Sequence, residues 1–247
     1  MDSVKEYNVN GSLLGLGEYI LLEILSEMEF LKDVQKFLIL NKKIHQLVEH
    51  PRFLSVIQSI IQLSPIFIIK EACQGRQKVM KFIHSRKNND KCTIAINPII
   101  KERIVRIEVV VENIGFYKSL GIADASCSFA AGRAPWEYGN DRKTVRYTFI
   151  GDLDHITWNK KGNQEYADGQ RIAVEVDMTT VPRRATFFVD DIEQPNYVIG
   201  IPEAIRFWIY TCINSSSFTV TQFKRLIQST AKGVKGSKAL EWGKEWY

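Results

Sequence analysis

Between residues 63 and 78 the spacing of apolar residues changes from about 3.6 to about 2, and this change constrains the fold more than any other feature of the chain. Upstream, Ile20, Leu21, Ile24, Leu25 and Met28 recur at i, i+1, i+4, i+5 and i+8, the apolar face of an amphipathic helix. A second helix is expected over residues 31–40, with Asp33 placed to favour its N-terminal dipole. A third is expected over 42–49 and a fourth from Pro51, since proline is tolerated in a first helical turn. Helices this short do not persist alone in water, so they must pack on one another or on a partner.

From residue 78 the period is two. KVMKFIHSRKNNDKCTIAINP (78–98) reads as a hairpin turning at Asn88-Asn89-Asp90. RIVRIEVVVEN, GIADAS, VRYTFI, AIRFWIYT and SFTVTQF follow at the short, even spacing of a β-sandwich. Between them RIAVEVDMTTVPRRATFFVDDI (171–192) forms a second hairpin. It is expected to bury Val174, Val176 and Phe187 on one face and to turn at Asp190-Asp191. No helical stripe separates these strands, which argues against a parallel βαβ sheet. The fold class is therefore α+β, a small helical module followed by an antiparallel sandwich. The expected divisions are a flexible start (1–13), a helical module (14–64), a linker (65–77), the sandwich (78–226) and a basic tail (227–247).

Charge and cysteine usage narrow the setting. The formal net charge is +5, part of it from Lys224, Arg225, Lys232, Lys235, Lys238 and Lys244. No aromatic motif of an RNA-binding sheet accompanies these lysines, so a solvated end is expected rather than a nucleic-acid partner. The most apolar window, FLSVIQSIIQLSPIFII (53–69), is broken by Ser, Gln and Pro65 and falls short of the roughly 20 residues of a membrane span. MDSVKEYNVNGS does not resemble a secretory signal. Cys73, Cys92, Cys127 and Cys212 lie far apart with no CxxC pair, as suits free thiols in a reducing compartment. The expected location is intracellular, cytoplasmic or nuclear.

Signatures of chemistry are sparse. Of the four histidines, His45 and His50 are five apart and so do not make the i, i+4 pair of a zinc helix. Asp190, Asp191 and Glu193 lack the regular oxygen spacing of a calcium loop. There is no GxSxG, P-loop or GxGxxG motif. No catalytic residue, metal or cofactor is expected, and a Cys/His pair that meets only in space is the remaining route to catalysis.

Five stretches, in order, resemble the SPRY family. NPIIKERIVRIEVVVE resembles its P-I-x-x-G turn leading into a Y-W-E-V-E strand, and GIADAS its vGvA strand. DGQRIAVEVDM resembles the G-D-x-I-G-V-x-L-D strand, ATFFVDD the L-S-F-x-x-N-G strand and IPEAIRFWIYT the P-x-x-P-A-V-S-L strand. Glu102 stands where the turn glycine is usual, Ile107 where tryptophan is usual, and Asp190-Asp191 in place of Asn-Gly. The resemblance implies a curved β-sandwich that binds proteins through edge loops and has no enzyme activity. Tyr117, Arg133, Trp136 and Tyr138 are the loop residues expected to meet a partner, Trp136 being equally open to a framework role.

Residues 16–54, LGEYILLEILSEMEFLKDVQKFLILNKKIHQLVEHPRFL, resemble an F-box through Leu16, Leu22, Ile24, Leu25, Ser26, Met28, Asp33, Leu40 or Asn41, Lys43, Leu47 and Pro51. Gly17 replaces the proline of that pattern, and Ile44 or His45 its tryptophan. This resemblance implies docking on a Skp-type adaptor of a cullin–RING ubiquitin ligase through Ile20, Leu21, Ile24, Leu25 and Leu38, with the sandwich selecting the substrate. The alternative is a helical extension that serves structure alone.

Overall fold

The computed structural model describes residues 12–28, 31–85, 91–113 and 117–246, in two compact units that divide between Leu63 and Ser64. The expected flexible start lies largely outside the described residues. In the helical unit, a 3-10 turn at Ser12–Gly15 precedes α1 (Glu18–Ser26), α2 (Leu31–Leu38), α3 (Lys42–His45) and α4 (Phe53–Ile61). The side chain of Asn41 accepts the Lys43 N–H at 2.8 Å and so caps α3. The segment expected as one helix over 42–49 passes from α3 into a 3-10 turn at Gln46–Glu49. The fourth helix starts at Phe53, with Arg52 rather than Pro51 at its cap.

The stripe that defines α1 closes this unit on itself. Leu21, Leu22 and Leu25 are buried with Val34, Phe37, Ile44, Leu47, Val56 and Ile60. Burying each such side chain stabilises the unit by about 1.5–3 kcal/mol. No helix among the described residues is long and apolar enough to cross a membrane.

The second unit is a two-sheet sandwich. Its strands are β1 (Ile66–Ile68), β2 (Gly75–Lys78), β3 (Lys81–His84), β4 (Cys92–Ile100), β5 (Ile104–Glu112), β6 (Ser119–Asp124), β7 (Thr144–Thr148) and β8 (Leu153–His155). They continue with β9 (Thr157–Lys160), β10 (Arg171–Asp177), β11 (Arg184–Val189), β12 (Ile192–Glu193), β13 (Asn196–Ile199), β14 (Ile205–Thr211), β15 (Ser217–Leu226) and β16 (Lys238–Glu241). Among the described residues the first sheet runs β1-β4-β14-β6-β7-β8-β9. The second runs β16-β13-β11-β10-β5-β15-β3-β2, with β12 beside β11. Pairing is antiparallel except between β13 and β16. Aromatic rings join the inner faces: Tyr147 meets Phe187 at 5.5 Å, Phe207 meets Phe223 at 5.9 Å, and Phe67 packs on Phe218 at 5.2 Å.

The hairpin at 171–192 is β10 paired with β11, with Val174 opposite Phe187 and Val176 opposite Ala185. Val174, Val176 and Phe187 are all fully buried. Asp190 and Asp191 both take positive φ, 48° and 67°, which a two-residue type I′ turn requires of its central pair. The Asp190 carboxylate accepts the Arg171 N–H at 3.0 Å and so holds the turn against the preceding strand.

Three expectations are corrected. Residues 78–98 do not form a hairpin: β3 pairs with β2 and β15 in one sheet, while β4 pairs with β1 and β14 in the other. The run Cys92–Ile96 is buried throughout, on both faces, and β4 takes β1 and β14 as its edge neighbours, a central place in its sheet. The turn foreseen at Asn88-Asn89-Asp90 lies outside the described residues. The linker over 65–77 contributes β1 and the start of β2.

The basic tail is also part of the fold. Glu175, buried on β10, accepts hydrogen bonds from the Ser229 hydroxyl at 2.6 Å, from the Thr230 N–H at 3.0 Å and from the Thr230 hydroxyl. Glu193 accepts the N–H groups of Lys232 at 2.6 Å and Gly233 at 3.1 Å. Beyond them β16 adds to β13, and Leu240 and Trp246 are buried. A composition rich in Lys and Gly hides this strap because carboxylates elsewhere in the chain hold its backbone.

His155 fastens the end of the strap. It is fully buried, its Nδ1 lies 2.8 Å from the Thr144 carbonyl, and its Nε2 accepts the Gly243 N–H at 2.8 Å. Trp242 and Trp246 flank the ring at 4.7 and 5.2 Å. This arrangement requires the neutral ring protonated at Nδ1. Burial pushes the His155 pKa down; the Thr144 carbonyl and the Asp141 carboxylate oppose that and Arg146 reinforces it. An unfolded histidine titrates near about 6.5, so below that pH the unfolded chain takes up a proton that the folded chain refuses. The contribution of His155 is therefore intact above about pH 6.5 and is lost as pH falls from there toward its lower folded value, by up to about 1.4 kcal/mol per pH unit. Denaturant titrations between pH 7.5 and 5 should show this slope in the wild type and lose it in His155→Gln; equal slopes would exclude His155 as the titrating group.

Candidate functional site

The outer face of the first sheet carries the most organised cleft. Alternation along β14 sends Phe207 and Ile209 inward and Trp208 and Tyr210 outward. The outward residues join Ala95, Ala123, Cys127, Phe129 and Ala134 in a cluster beneath the segment 125–143. Phe129 packs on Trp208 at 5.9 Å, and Trp136 packs on Tyr210 at 5.3 Å and on Trp158 of β9 at 5.2 Å. Gly121 on β6 lies opposite Arg146 on β7, where a Cβ would stand 1.9 Å from the Val145 carbonyl oxygen. A side chain there would force the two strands apart.

Between these elements lies a cavity of about 210 Å³, walled by Tyr117, Trp136, Trp158 and Tyr210 and floored by Arg146 and Asp152. Arg146 is fully buried, with its guanidinium 4.5 Å from the Trp158 ring centre and 5.8 Å from that of Trp136. Its Nη1 donates to the Thr144 hydroxyl at 3.3 Å, and its Nε lies 3.8 Å from Asp154 Oδ2, too far for a hydrogen bond. Nε and Nη2 find no acceptor among the described residues. Burial lowers the Arg146 pKa, opposed by the carboxylates of Asp154 and Asp141, and a guanidinium stays charged regardless. Asp152 and Ser119 also belong to the lining, and the buried Asp152 Oδ2 and Ser119 hydroxyl lack partners among the described residues. Burial raises the Asp152 pKa, with Lys161 opposing and Glu165 adding to the rise.

The rim is charged. Lys118 Nζ donates to Asp168 at 2.5 Å, and neighbouring Tyr117 is exposed with a left-handed φ of 74°. Arg133 lies over the Tyr138 ring at 5.2 Å and 3.6 Å from Glu137, whose carboxylate also takes Lys91. Hydrogen bonding from Lys91 holds the Glu137 pKa below the usual range. The chain thus brings two of the sequence-derived loop residues, Tyr117 and Trp136, into the cleft, and sets Arg133 and Tyr138 as an exposed pair on the adjoining segment.

Arg146, Asp152, Trp158 and Tyr210 escaped the sequence reading. A signal existed for Arg146, an arginine inside the strand VRYTFI, and for Trp158, a tryptophan in the polar stretch TWNK. Their convergence depends on the β7–β8–β9 pairing, which periodicity does not specify.

The residues expected to meet a Skp-type adaptor divide. Leu21 and Leu25 are fully buried in the helical unit's own core, and Ile24 and Leu38 pack half-buried against it. Ile20 is 52% exposed. Tyr19, Ile39, Leu40 and Leu54 are exposed as well.

No protein-family model matches the sequence, and no curated protein matches it. Among solved structures the chain is similar to the SPRY domain of human HERC1, with 9% identity over 61% of this chain and 91% of that one and a TM-score of 0.45. It is similar to a human SPRY domain at 10% identity over 63% of this chain and 96% of that one, with a TM-score of 0.46. It is also similar to the TRIM65 PSpry domain at 10% identity over 68% of this chain and 98% of that one, with a TM-score of 0.46.

The burial of the two tryptophans separates framework from surface. Trp136 is half-buried between two rings, so Trp136→Ala should cost about 2 kcal/mol and lower the thermal midpoint of the sandwich by roughly 5 °C. Trp158 is 49% exposed, and Trp158→Ala should lower it by less than about 3 °C. Differential scanning calorimetry of both variants checks this; the reverse order would assign Trp158 to the framework.

Proposed function

We propose that the chain is a non-catalytic adaptor whose sandwich takes a segment of a protein partner into the Trp136–Trp158–Tyr210 cleft. The observation that carries this reading is an aromatic-walled cavity lined by a buried Arg146, whose Nε and Nη2 find no acceptor among the described residues. Aromatic anchors and arginine dominate protein interfaces, and concave sites pair apolar walls with a few convergent polar groups. The ordered strand motifs resembling SPRY domains, which are generally protein-interaction modules, support the same reading. The thiols offer little for the competing enzymatic reading. Burial pushes Cys92 up to about 12 and Cys127 up to about 11, so neither is a ready nucleophile.

In this proposal the helical unit docks on a Skp-type adaptor and cullin inside the cell, through the exposed residues Ile20, Tyr19 and Leu54 rather than through Leu21 and Leu25. The closed core around Leu21 and Leu25 favours a second reading, in which the helices are a structural extension of a binding protein with no ubiquitin role.

Affinity purification of the intact chain with quantitative mass spectrometry distinguishes the two. The ligase reading expects Skp-type adaptor and cullin in the wild-type recovery. It also expects their loss to background in Ile20→Glu/Leu54→Glu, with the thermal midpoint retained because both side chains are exposed. A wild-type recovery that lacks both adaptor and cullin sinks the ligase reading and leaves the binding protein.

A further inference from the structure

The end of the strap is held by a ring with no nitrogen to spare. His155 donates from Nδ1 to the Thr144 carbonyl at 2.8 Å and accepts the Gly243 N–H on Nε2 at 2.8 Å. The first contact keeps a hydrogen on Nδ1, so the second survives only while Nε2 carries none. A proton taken up at Nε2 sets N–H against N–H and ejects the Gly243 amide. The flanking indoles of Trp242 and Trp246 attract a cation, but they carry no acceptor atom for its new N–H.

What such a proton frees is bounded upstream. The Trp242 N–H donates to the Ile199 carbonyl at 2.9 Å, Leu240 is buried, and Glu175 and Glu193 hold the start of the strap, all without His155. Residues 243–246 return to the sandwich through His155 and through Thr157, whose hydroxyl accepts the Trp246 N–H at 2.9 Å. Thr157 is followed on β9 by Trp158, a wall of the cleft. The charged groups around the ring come from several elements. Burial keeps the ring neutral, the Thr144 carbonyl opposes that, Arg146 on β7 reinforces it and Asp141 in the segment 137–143 opposes it. Asp154, beside His155 on β8, lies 3.8 Å from Arg146. Lys160 stands on β9, and Glu241, Lys244 and Glu245 on the strap are exposed.

We infer that residues 243–246 form an acid-released latch on β9: a proton on His155 Nε2 frees them while the rest of the strap and both sheets stay folded, and the Trp158 wall of the cleft loosens with them. The device does not depend on what the cleft binds. In the freed state the ring titrates near about 6.5, and in the latched state lower. The freed fraction is therefore constant above about pH 6.5. Below it the fraction rises by up to about tenfold per pH unit, until the latched value is reached.

The test is amide hydrogen exchange followed by NMR on the intact chain from pH 7.5 to 5, corrected for intrinsic exchange rates. Protection of the Gly243 and Trp246 amides should fall by up to about tenfold per pH unit below pH 6.5, while the β10 amides keep theirs. The Trp158 indole N–H signal should shift over the same range. His155→Gln should abolish the pH dependence, and Thr157→Val should lower Trp246 protection at every pH and keep the slope. Where His155→Gln does not fold, the ring's own ¹⁵N titration in the wild type must run together with the Gly243 amide shift. The latch is overturned by protection that is flat with pH, that falls in step with β10, or that keeps its slope in His155→Gln, and equally by a ring titration that leaves Gly243 unmoved. A Trp158 signal that stays fixed while Gly243 and Trp246 open would overturn the coupling to the cleft.

Discussion

The central sandwich strands are buried on both faces, and most of the remaining structure answers to that. In β10 every residue from Ile172 to Asp177 is buried, and in β4 every residue from Cys92 to Ile96. The opposite sheet covers only the inner face of each. The outer faces are covered by irregular chain, the segment 125–143 over the first sheet and the C-terminal strap over the second. Irregular chain brings backbone groups that no ladder satisfies, so side chains must pair with them. Glu175 and Glu193 do this for the strap. Asp124, which accepts the Ser126 N–H at 2.8 Å, and Thr93, which donates to the Arg133 carbonyl at 2.9 Å, do it for the other cover.

Two buried arginines show how such a cover differs from a site. Arg106 on β5 donates to Asp191 at 2.8 Å and to the Thr230 hydroxyl at 3.0 Å, and lies 4.2 Å over the Phe188 ring. It ties the β11–β12 turn and the strap to the sheet, and the structure consumes its charge. Arg146 is more deeply buried yet pairs loosely with Asp154 and leaves Nε and Nη2 unmade. Desolvating a guanidinium costs several kcal/mol, and incomplete pairing does not recover it. A group held this way contributes little to the fold in which it sits. Such groups cluster where a ligand completes the interaction.

What could be read from the sequence follows the physics of each level. Alternation placed β5, β10, β11, β14 and β15, and it identified Val174, Val176 and Phe187 as core, because apolar residues at period two are a local property of the sequence. The i, i+4 stripe located α1 and named Leu21 and Leu25 as apolar contacts. Periodicity does not distinguish a stripe that meets a partner from one that meets its own bundle. Sheet assignment was not legible: β3 and β4 are neighbours in sequence and lie in different sheets. The strap was hidden for the same reason, since Ser229 and Lys232 are held by glutamates 54 and 39 residues away. In the site, loop aromatics gave Tyr117 and Trp136, whereas Arg146 and Trp158 needed the pairing of β7, β8 and β9.

That pairing also joins the two covers. Thr157 and Trp158 are consecutive on β9 and therefore point to opposite sides of the strand. The Thr157 hydroxyl accepts the Trp246 N–H at 2.9 Å and contacts the Trp246 carbonyl oxygen at 2.9 Å, which anchors the end of the strap. Trp158 meanwhile forms a wall of the cleft. His155, one strand earlier, takes Gly243 on one side and the Thr144 carbonyl of β7 on the other. Because β9 lies at the edge of its sheet, β8 on one side and contacts with the strap help to hold it in register. The geometry of the aromatic cleft is thus set in part by residues 242–246, at the far end of the chain from the strands that carry its other walls.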